Sequence, residues 1–167
     1  MSVEIGGLKM PEKKPINIFI SHCGEDADQI KSLHKLIQKE GYKIRDSSMD
    51  EKNPNNAKDP EYIKSLLRPK IDWAGTVIVL IGPETHKKDW VDWEIEYANA
   101  KGDKNIVGVF IPGGTDSDVP ENLKKYGDAL VTWDADNLGE AIEGQSHWME
   151  PDGSVNKGFW RKNVSEC

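Results

Sequence analysis

A tryptophan and a glutamate stand one helical turn apart in the segment Lys88–Ile95, and together they could act on a sugar ring. Trp90 and Glu94 are four residues apart, so on a helix their side chains share one flank. Helical side chains lean toward the N-terminus, so Glu94 is expected to lean toward the first turn. Trp90, and with it Trp93, would shield the carboxylate from water, which raises a carboxyl pKa and sharpens its electrostatic effect.

A single shielded carboxylate suits the stabilisation of positive charge that develops on a sugar. Cleavage of a glycosidic bond passes through an oxocarbenium-like state, which a nearby carboxylate stabilises. Most glycosidases use two carboxylates, and only Glu94 is convincing here, so the substrate would carry its own good leaving group, as the cationic nicotinamide of NAD does. Spacing alone also allows a plainer and commoner role, in which Glu94 is a solvated acid that interacts favourably with the helix dipole.

Other polar side chains follow the ends of predicted strands, where α/β sheets bind ligands. His22 either orients a ribose or phosphate or is a half-exposed loop residue. Asp46 and Ser48 could bind ribose hydroxyls, but turn formation explains them equally well. His34 and His86 have no partner at useful spacing and are expected on the surface.

Short apolar runs alternate with amphipathic segments along the chain, and these elements must position the candidate residues. Thr76–Ile81 is apolar on both faces, which predicts a central strand covered by helices on each side. Pro69 is expected to kink or split its helix, and Asp89 to cap the helix of Glu94. The alternation predicts a parallel sheet with right-handed crossovers. The predicted strands are Pro15–Ser21, Tyr42–Asp46, Thr76–Ile81, Asn105–Ile111 and Ala129–Thr132, and the predicted helices are Asp26–Glu40, Glu61–Trp73, Trp90–Lys101, Glu121–Tyr126 and Asp134–Ile142.

Length and composition limit the function further. The 167 residues predict one domain over residues 15–143, with a flexible leader over 1–14 and an extension of unassigned role over 144–167. The 22 basic and 29 acidic residues give a net charge of −7, without the basic stripe that nucleic-acid binding needs. The longest apolar run is too short for a bilayer, and no signal peptide is evident, so the cytoplasm is the expected compartment. Cys23 and Cys167 are expected to be free thiols, and no metal site is expected.

Several common α/β activities lack their sequence signatures. No G-x-G-x-x-G follows the first strand, and no P-loop motif occurs anywhere. The central strand ends without the aspartate of a phosphoacceptor domain, and there is no G-x-S-x-G nucleophile elbow. These absences leave the pair of Trp90 and Glu94 as the main candidate site.

Four segments, in matching order, resemble the TIR domain family, and most closely its bacterial members of the Thoeris anti-phage type. Asn17–His22 contains the "FIS" first strand, and Val77–Leu80 corresponds to the central strand. Trp90–Ile95 contains the W-x-x-x-E segment of NAD-cleaving TIR domains, and Lys104–Val107 corresponds to the following strand. The resemblance spans roughly Ile16–Glu143.

The resemblance implies a flavodoxin-like three-layer sandwich with a five-stranded parallel sheet. Active family members cleave the bond between nicotinamide and ribose, so NAD is implied as the substrate and no cofactor is expected. Thoeris-type members convert NAD into a cyclic or otherwise modified ADP-ribose, which activates a separate effector protein. Self-association through the TIR surfaces is also implied.

The resemblance also assigns roles to residues. It implies that Glu94 is catalytic and that Trp90 belongs to the site. It implies that the loop Ser47–Asn56 gates the site and contacts a neighbouring protomer, although here the loop is longer and richer in asparagine than in receptor TIR domains. The pocket would be lined by residues after the first strand, which here are His22 and Cys23, and Ser21 at the end of that strand is expected to bind the substrate with them.

Two other functions are compatible with the same elements. A non-catalytic interaction or scaffold module would use the family's surfaces for assembly only, but assembly does not require both Trp90 and Glu94. An enzyme similar to nucleoside deoxyribosyltransferases shares the layered fold and a catalytic glutamate. That family would need a further acidic residue at a strand end, where only Asp46 qualifies.

Overall fold

Two short antiparallel strands lie near the N-terminus, in the segment predicted to be a flexible leader. They are β1 (Ser2–Ile5) and β2 (Leu8–Pro11), and they form a sheet separate from the main one. The computed structural model describes residues 2–5, 8–11, 15–22, 28–46, 59–83 and 85–155. The sequence did not predict these two strands, and the other residues of the leader up to position 14 lie outside the described ones.

The main sheet has five strands, all parallel, in the order β4-β3-β5-β6-β7. Counted from its own first strand this order is 2-1-3-4-5, the order of flavodoxin-like sheets. The predicted fold class is therefore confirmed. The strands are β3 (Ile16–Ser21), β4 (Ile44–Asp46), β5 (Thr76–Ile81), β6 (Asn105–Phe110) and β7 (Ala129–Val131).

Helices cover both faces of this sheet. Every residue of β5 is buried, and alternate side chains of this strand enter two separate apolar clusters. One cluster joins the sheet to α1 and α5, and the other joins it to α2, α3 and α4. These two sides are called the α1/α5 face and the α2–α4 face. The helices are α1 (Gln29–Gln38), α2 (Pro60–Trp73), α3 (Asp89–Lys101), α4 (Glu121–Tyr126) and α5 (Ala135–Ile142). Within the part of the chain that the structure describes, no helix combines the length and apolar character needed to cross a membrane.

The register of the sheet decides which strand ends meet. Ser21, the last residue of β3, is aligned with Val79 of the central strand. Asp46, the last residue of β4, is aligned with Ile18, three residues before Ser21. At about 3.3 Å per residue, β4 therefore ends about 10 Å below the end of β3. The two strand ends do not form one level rim.

Two local expectations about helix boundaries are wrong. Pro69 does not split its helix, because α2 continues through it, and the buried side chains of Leu67 and Ile71 hold both halves to the core. Asp89 does not cap α3 but is its first residue, because the Lys88 carbonyl accepts the hydrogen bond from the Val91 amide. Pro69 removes only one backbone donor, which the packing of α2 outweighs.

The first part of the predicted extension packs against the domain. The Leu130 amide of β7 donates to the His147 carbonyl over 2.8 Å, and the Met149 amide donates to the Leu130 carbonyl over 2.9 Å. Trp148 packs against the core on the α2–α4 face. These residues cover the outer edge of β7, which would otherwise leave backbone groups unpaired. Residues 156–167 lie outside the described residues.

Candidate active site

Glu94 is almost completely buried, although it is an acidic residue in the first half of a helix. Its side chain is only 4% exposed. The hydroxyl of Ser21, at the end of β3, donates a hydrogen bond to its Oε1 atom over 2.5 Å. Ser21 is itself 1% exposed. The interpretation of Glu94 as a solvated surface acid is therefore wrong.

The sequence of α3 explains how this carboxylate is carried into the interior. Val91, Ile95 and Ala98 form the predicted apolar stripe, and all three are fully buried against the sheet. Glu94 projects within about 60° of Val91 around the helix axis, close enough to the stripe to be buried with it. Burying an ionised carboxylate is costly unless hydrogen bonds compensate it. The bond from Ser21 supplies part of that compensation.

The pair of Ser21 and Glu94 lies at the topological switch point of the sheet. The connection after β3 crosses on the α1/α5 face, whereas α3, which follows β5, lies on the α2–α4 face. Ligands of open α/β sheets bind in the crevice that opens where neighbouring connections diverge in this way. Ser21 ends one of the two strands and Glu94 lies on the helix after the other.

Trp90 lies at the rim of the sheet beside the end of β3, one turn before Glu94. Its side chain is 46% exposed, and its Nε1–H donates to the His22 carbonyl over 3.4 Å. The Lys88 ammonium lies 5.6 Å from the centre of the indole ring. The structure thus places a partly exposed aromatic surface beside the end of β3, where the sequence predicted an apolar wall.

His22 is held at the same rim in a defined orientation. Its Nδ1 atom lies 3.2 Å from the Ile20 carbonyl oxygen. A carbonyl can only accept, so Nδ1 must donate, and in a neutral ring Nε2 is then an acceptor. The ring is half-buried, which suits either of the two roles predicted for it. Cys23, the next predicted lining residue, lies outside the described residues, as does Ser48.

The ring contacts of Trp93 that the structure describes are with Tyr97 and with side chains of α2. Its ring stacks on Tyr97 with a centroid separation of 5.4 Å, and Lys64 and Arg68 of α2 lie over it at 5.2 and 5.8 Å. The Tyr97 hydroxyl in turn donates to Asp72, and this hydrogen bond holds the pKa of that carboxyl below its usual value. Trp93 belongs to the contact between α2 and α3, and its place beside the Glu94 carboxylate stays a prediction.

Asp46 is also placed away from Glu94. Its partner in the register, Ile18, belongs to the cluster on the α1/α5 face, and residues aligned in parallel strands share a face. The Asp46 side chain is 3% exposed and lies 2.7 Å from Nε2 of His34. His34 therefore has a partner that its spacing did not indicate. His86 is exposed, as expected, but it too has a partner, since its Nδ1 atom lies 3.6 Å from Asp118. Asp46 is tied to α1 on the opposite side of the sheet from Glu94.

The contact between His34 and Asp46 is expected to stabilise the fold. We expect His34→Ala to lower the free energy of unfolding by about 1–3 kcal/mol, because a buried carboxylate loses its imidazole partner. Urea denaturation followed by circular dichroism measures this change. His147→Ala is the control, since His147 pairs with the exposed Glu140 at 2.9 Å and should cost at most about 1 kcal/mol. Equal losses in the two variants would contradict the structural role of Asp46.

One groove among the described residues lies at the other end of the sheet. It measures about 480 Å³ and is lined by the starts of β3 and β5, with Arg45, Trp73 and Lys104. None of the predicted site residues that the structure describes lines it. Within the described residues, no group of three or more His, Cys, Asp or Glu side chains could hold a metal ion. The candidate site is therefore defined by the contacts of Glu94.

Comparisons with known proteins agree with the fold and identify its family. Residues 19–116, more than half of the chain, match the family described as "Thoeris protein ThsB, TIR-like domain". No curated protein matches the chain. A 2-deoxyribosyltransferase from Bacillus psychrosaccharolyticus is similar in structure, with a TM-score of 0.54, 12% identity, and coverage of 74% of this chain and 90% of that one. A conserved protein from Enterococcus faecalis V583 is similar with a TM-score of 0.53, 14% identity, and coverage of 77% and 98%. At such low identity, these two structures show a shared fold alone.

Proposed function

Because the chain belongs to the TIR-like domain family of the Thoeris protein ThsB, we propose that it cleaves NAD between nicotinamide and ribose, with Glu94 as the catalytic carboxylate. The observation that supports this most is the buried hydrogen bond between Ser21 and Glu94 at the switch point of the sheet. Release of nicotinamide from NAD by the purified protein, and its loss in Glu94→Gln, tests the proposal.

The proposed reaction needs only one carboxylate. The glycosidic bond between the ribose C1′ and the nicotinamide nitrogen breaks, and its electron pair goes to the nitrogen, which loses its positive charge. The ribose becomes oxocarbenium-like, and the Glu94 carboxylate stabilises it electrostatically. A nucleophile then bonds to C1′ and gives up its proton to solvent. Water as the nucleophile gives ADP-ribose, and a group of ADP-ribose itself gives a cyclic product.

We propose that the product is an ADP-ribose derivative, and by its resemblance to Thoeris-type proteins a cyclic one, that acts as a signal in anti-phage immunity. The signal would reach a separate effector protein by diffusion, so no stable complex with the effector is required. The cytoplasm is the proposed compartment, and self-association through TIR surfaces is proposed as well. NAD is a substrate in this scheme and not a cofactor.

The scaffold alternative gives no reason for burying Glu94. A carboxylate removed from water costs stability, and assembly through outer surfaces does not need it. The deoxyribosyltransferase-like alternative needs a second acid near the first, but Asp46 faces α1 and His34 on the other side of the sheet. NAD cleavage by one carboxylate fits the described residues better.

Trp90 is proposed to stack on a flat ring of the dinucleotide at the rim. We expect Trp90→Ala to raise KM for NAD by about tenfold, because stacking of a base on an aromatic side chain contributes about 1–3 kcal/mol. Steady-state kinetics of nicotinamide release measure this. Trp73→Ala is a matched control, since Trp73 is similarly exposed, at 43%, but lies at the opposite end of the sheet. A similar rise in KM for both variants would argue against Trp90 as a binding residue.

A further inference from the structure

We infer that Ser21 is a positioning residue, whose hydroxyl holds the Glu94 carboxylate in the orientation needed for nicotinamide cleavage and does not touch the substrate. This inference rests on the proposed function of Glu94. It also replaces the expected role of Ser21, in which its side chain binds the substrate.

The burial of Ser21 argues against contact with a ligand. Its side chain is almost completely enclosed, and its hydroxyl is already directed at Oε1 of Glu94. A separation of 2.5 Å is at the short end of the range for a hydroxyl that donates to an ionised carboxylate. Such bonds are stronger than those between neutral groups. The hydroxyl is therefore committed to Glu94.

The sheet makes Ser21 a fixed donor. Ser21 ends β3, which pairs with β4 on one side and with the central strand β5 on the other. Its register partner is the fully buried Val79. Glu94 has three rotatable side-chain bonds, so its carboxylate needs an external contact to keep one orientation. A donor on a rigid strand supplies that contact, and a group fixed in advance stabilises developing charge without reorganising during the reaction.

If the hydrogen bond between Ser21 and Glu94 had a purely structural role, the effect of removing it would be different. If the bond only compensated the burial of Glu94, removal of the hydroxyl would lower stability and leave the turnover of folded protein unchanged. If Ser21 touched the substrate, its removal would raise KM. If Ser21 positions the carboxylate, kcat falls and KM stays, because the orientation of Glu94 matters most in the transition state.

The test compares Ser21→Ala with Ser21→Thr, under conditions where the wild-type protein releases nicotinamide from NAD. We expect Ser21→Ala to lower kcat by about 10- to 100-fold, since small misplacements of catalytic groups cost up to about 100-fold, and to keep KM within about twofold. Ser21→Thr keeps a hydroxyl and should restore most of kcat. Ser65→Ala, which removes an exposed hydroxyl from α2, should match the wild type.

Three outcomes would overturn the inference: wild-type kcat in Ser21→Ala, a raised KM with unchanged kcat, or a folded Ser21→Thr as slow as Ser21→Ala. If Ser21→Thr does not fold, Ser21→Cys replaces it, because the thiol is a weak donor of similar shape and should give an intermediate kcat. If the Glu94→Gln protein is inactive and the Ser21→Ala protein is fully active, the result contradicts the positioning role of Ser21 and leaves the proposed function standing. Equal rates of nicotinamide release by the wild type and Glu94→Gln would contradict the proposed function itself.

Discussion

Glu94→Gln is expected to slow the release of nicotinamide from NAD by on the order of 10³-fold, the size of effect seen when one electrostatic contact to a transition state is removed. Glutamine has nearly the same shape and can still accept the hydrogen bond from Ser21, so the packing of α3 should survive. The variant lacks only the negative charge that stabilises the ribose cation. The rate is measured with purified protein as nicotinamide formed from NAD.

Two further measurements keep this result interpretable. Glu96→Gln is the matched control, because Glu96 is exposed on the same helix, and it should keep the wild-type rate. The free energy of unfolding of Glu94→Gln should be equal to or higher than that of the wild type, since a buried charge has been removed. An inactive variant that is also markedly less stable would point to a folding defect, and equal loss of activity in both variants would contradict the assignment.

Gly114→Ala, which adds one methyl group at the rim of the sheet, is expected to lower the free energy of unfolding more than any other such addition there. Gly114 lies in the turn after β6, and a Cβ atom there would stand 2.2 Å from the carbonyl oxygen of Ile81, at the end of the central strand. That oxygen belongs to the backbone and already accepts from the Ile111 amide over 3.0 Å, so the turn itself must move. We expect a loss of about 1–3 kcal/mol in unfolding free energy.

Thermal denaturation measures this effect, because 1 kcal/mol lowers Tm by roughly 2–4 °C in a chain of this size. Gly75→Ala provides the comparison. No heavy atom lies within 4 Å of a Cβ built at Gly75, and its backbone is not in the left-handed region. Its effect should stay within about 1 kcal/mol of zero. If Gly114→Ala were as stable as Gly75→Ala, that result would contradict the close approach of the turn after β6 to the Ile81 carbonyl oxygen.

The layered fold was predictable because its strongest signals are local. The unbroken apolar run Thr76–Ile81 identifies a central strand, and it is buried at every position. The spacing of Val91, Ile95 and Ala98 identifies the buried side of α3. Helical periodicity also placed Trp90 and Glu94 on one flank, but it did not settle how far the helix is rotated toward the sheet. The burial of Glu94 therefore needed the structure.

Two predictions about the site depend on contacts between distant parts of the chain. Asp46 was predicted at the ligand rim because it ends a strand, but the register places that end beside Ile18, below the end of β3. Register depends on packing across strands, which a single sequence does not state. Trp93 was grouped with Glu94 by proximity in sequence, although neighbouring residues on a helix point about 100° apart, and the ring of Trp93 packs on Tyr97.

The contact between Ser21 and Glu94 was missed, although one signal for it was present. Residues two apart in a strand share a face, so Ser21 points to the same side as the buried Phe19, which packs in the cluster with α3. Ser21, the polar residue that ends that buried run, could have been matched with Glu94, an acid beside the apolar stripe of α3.

Mass spectrometry of small molecules from phage-infected cells tests the central claim most directly, because infection supplies an activating trigger if one is needed. Cells expressing the wild-type chain should accumulate nicotinamide and a new ADP-ribose derivative, and cells expressing Glu96→Gln should do the same. Cells expressing Glu94→Gln at the same protein level should lack both products. A derivative formed equally with Glu94→Gln, or infected cells protected by the wild type with no change in NAD or its products, would contradict the account.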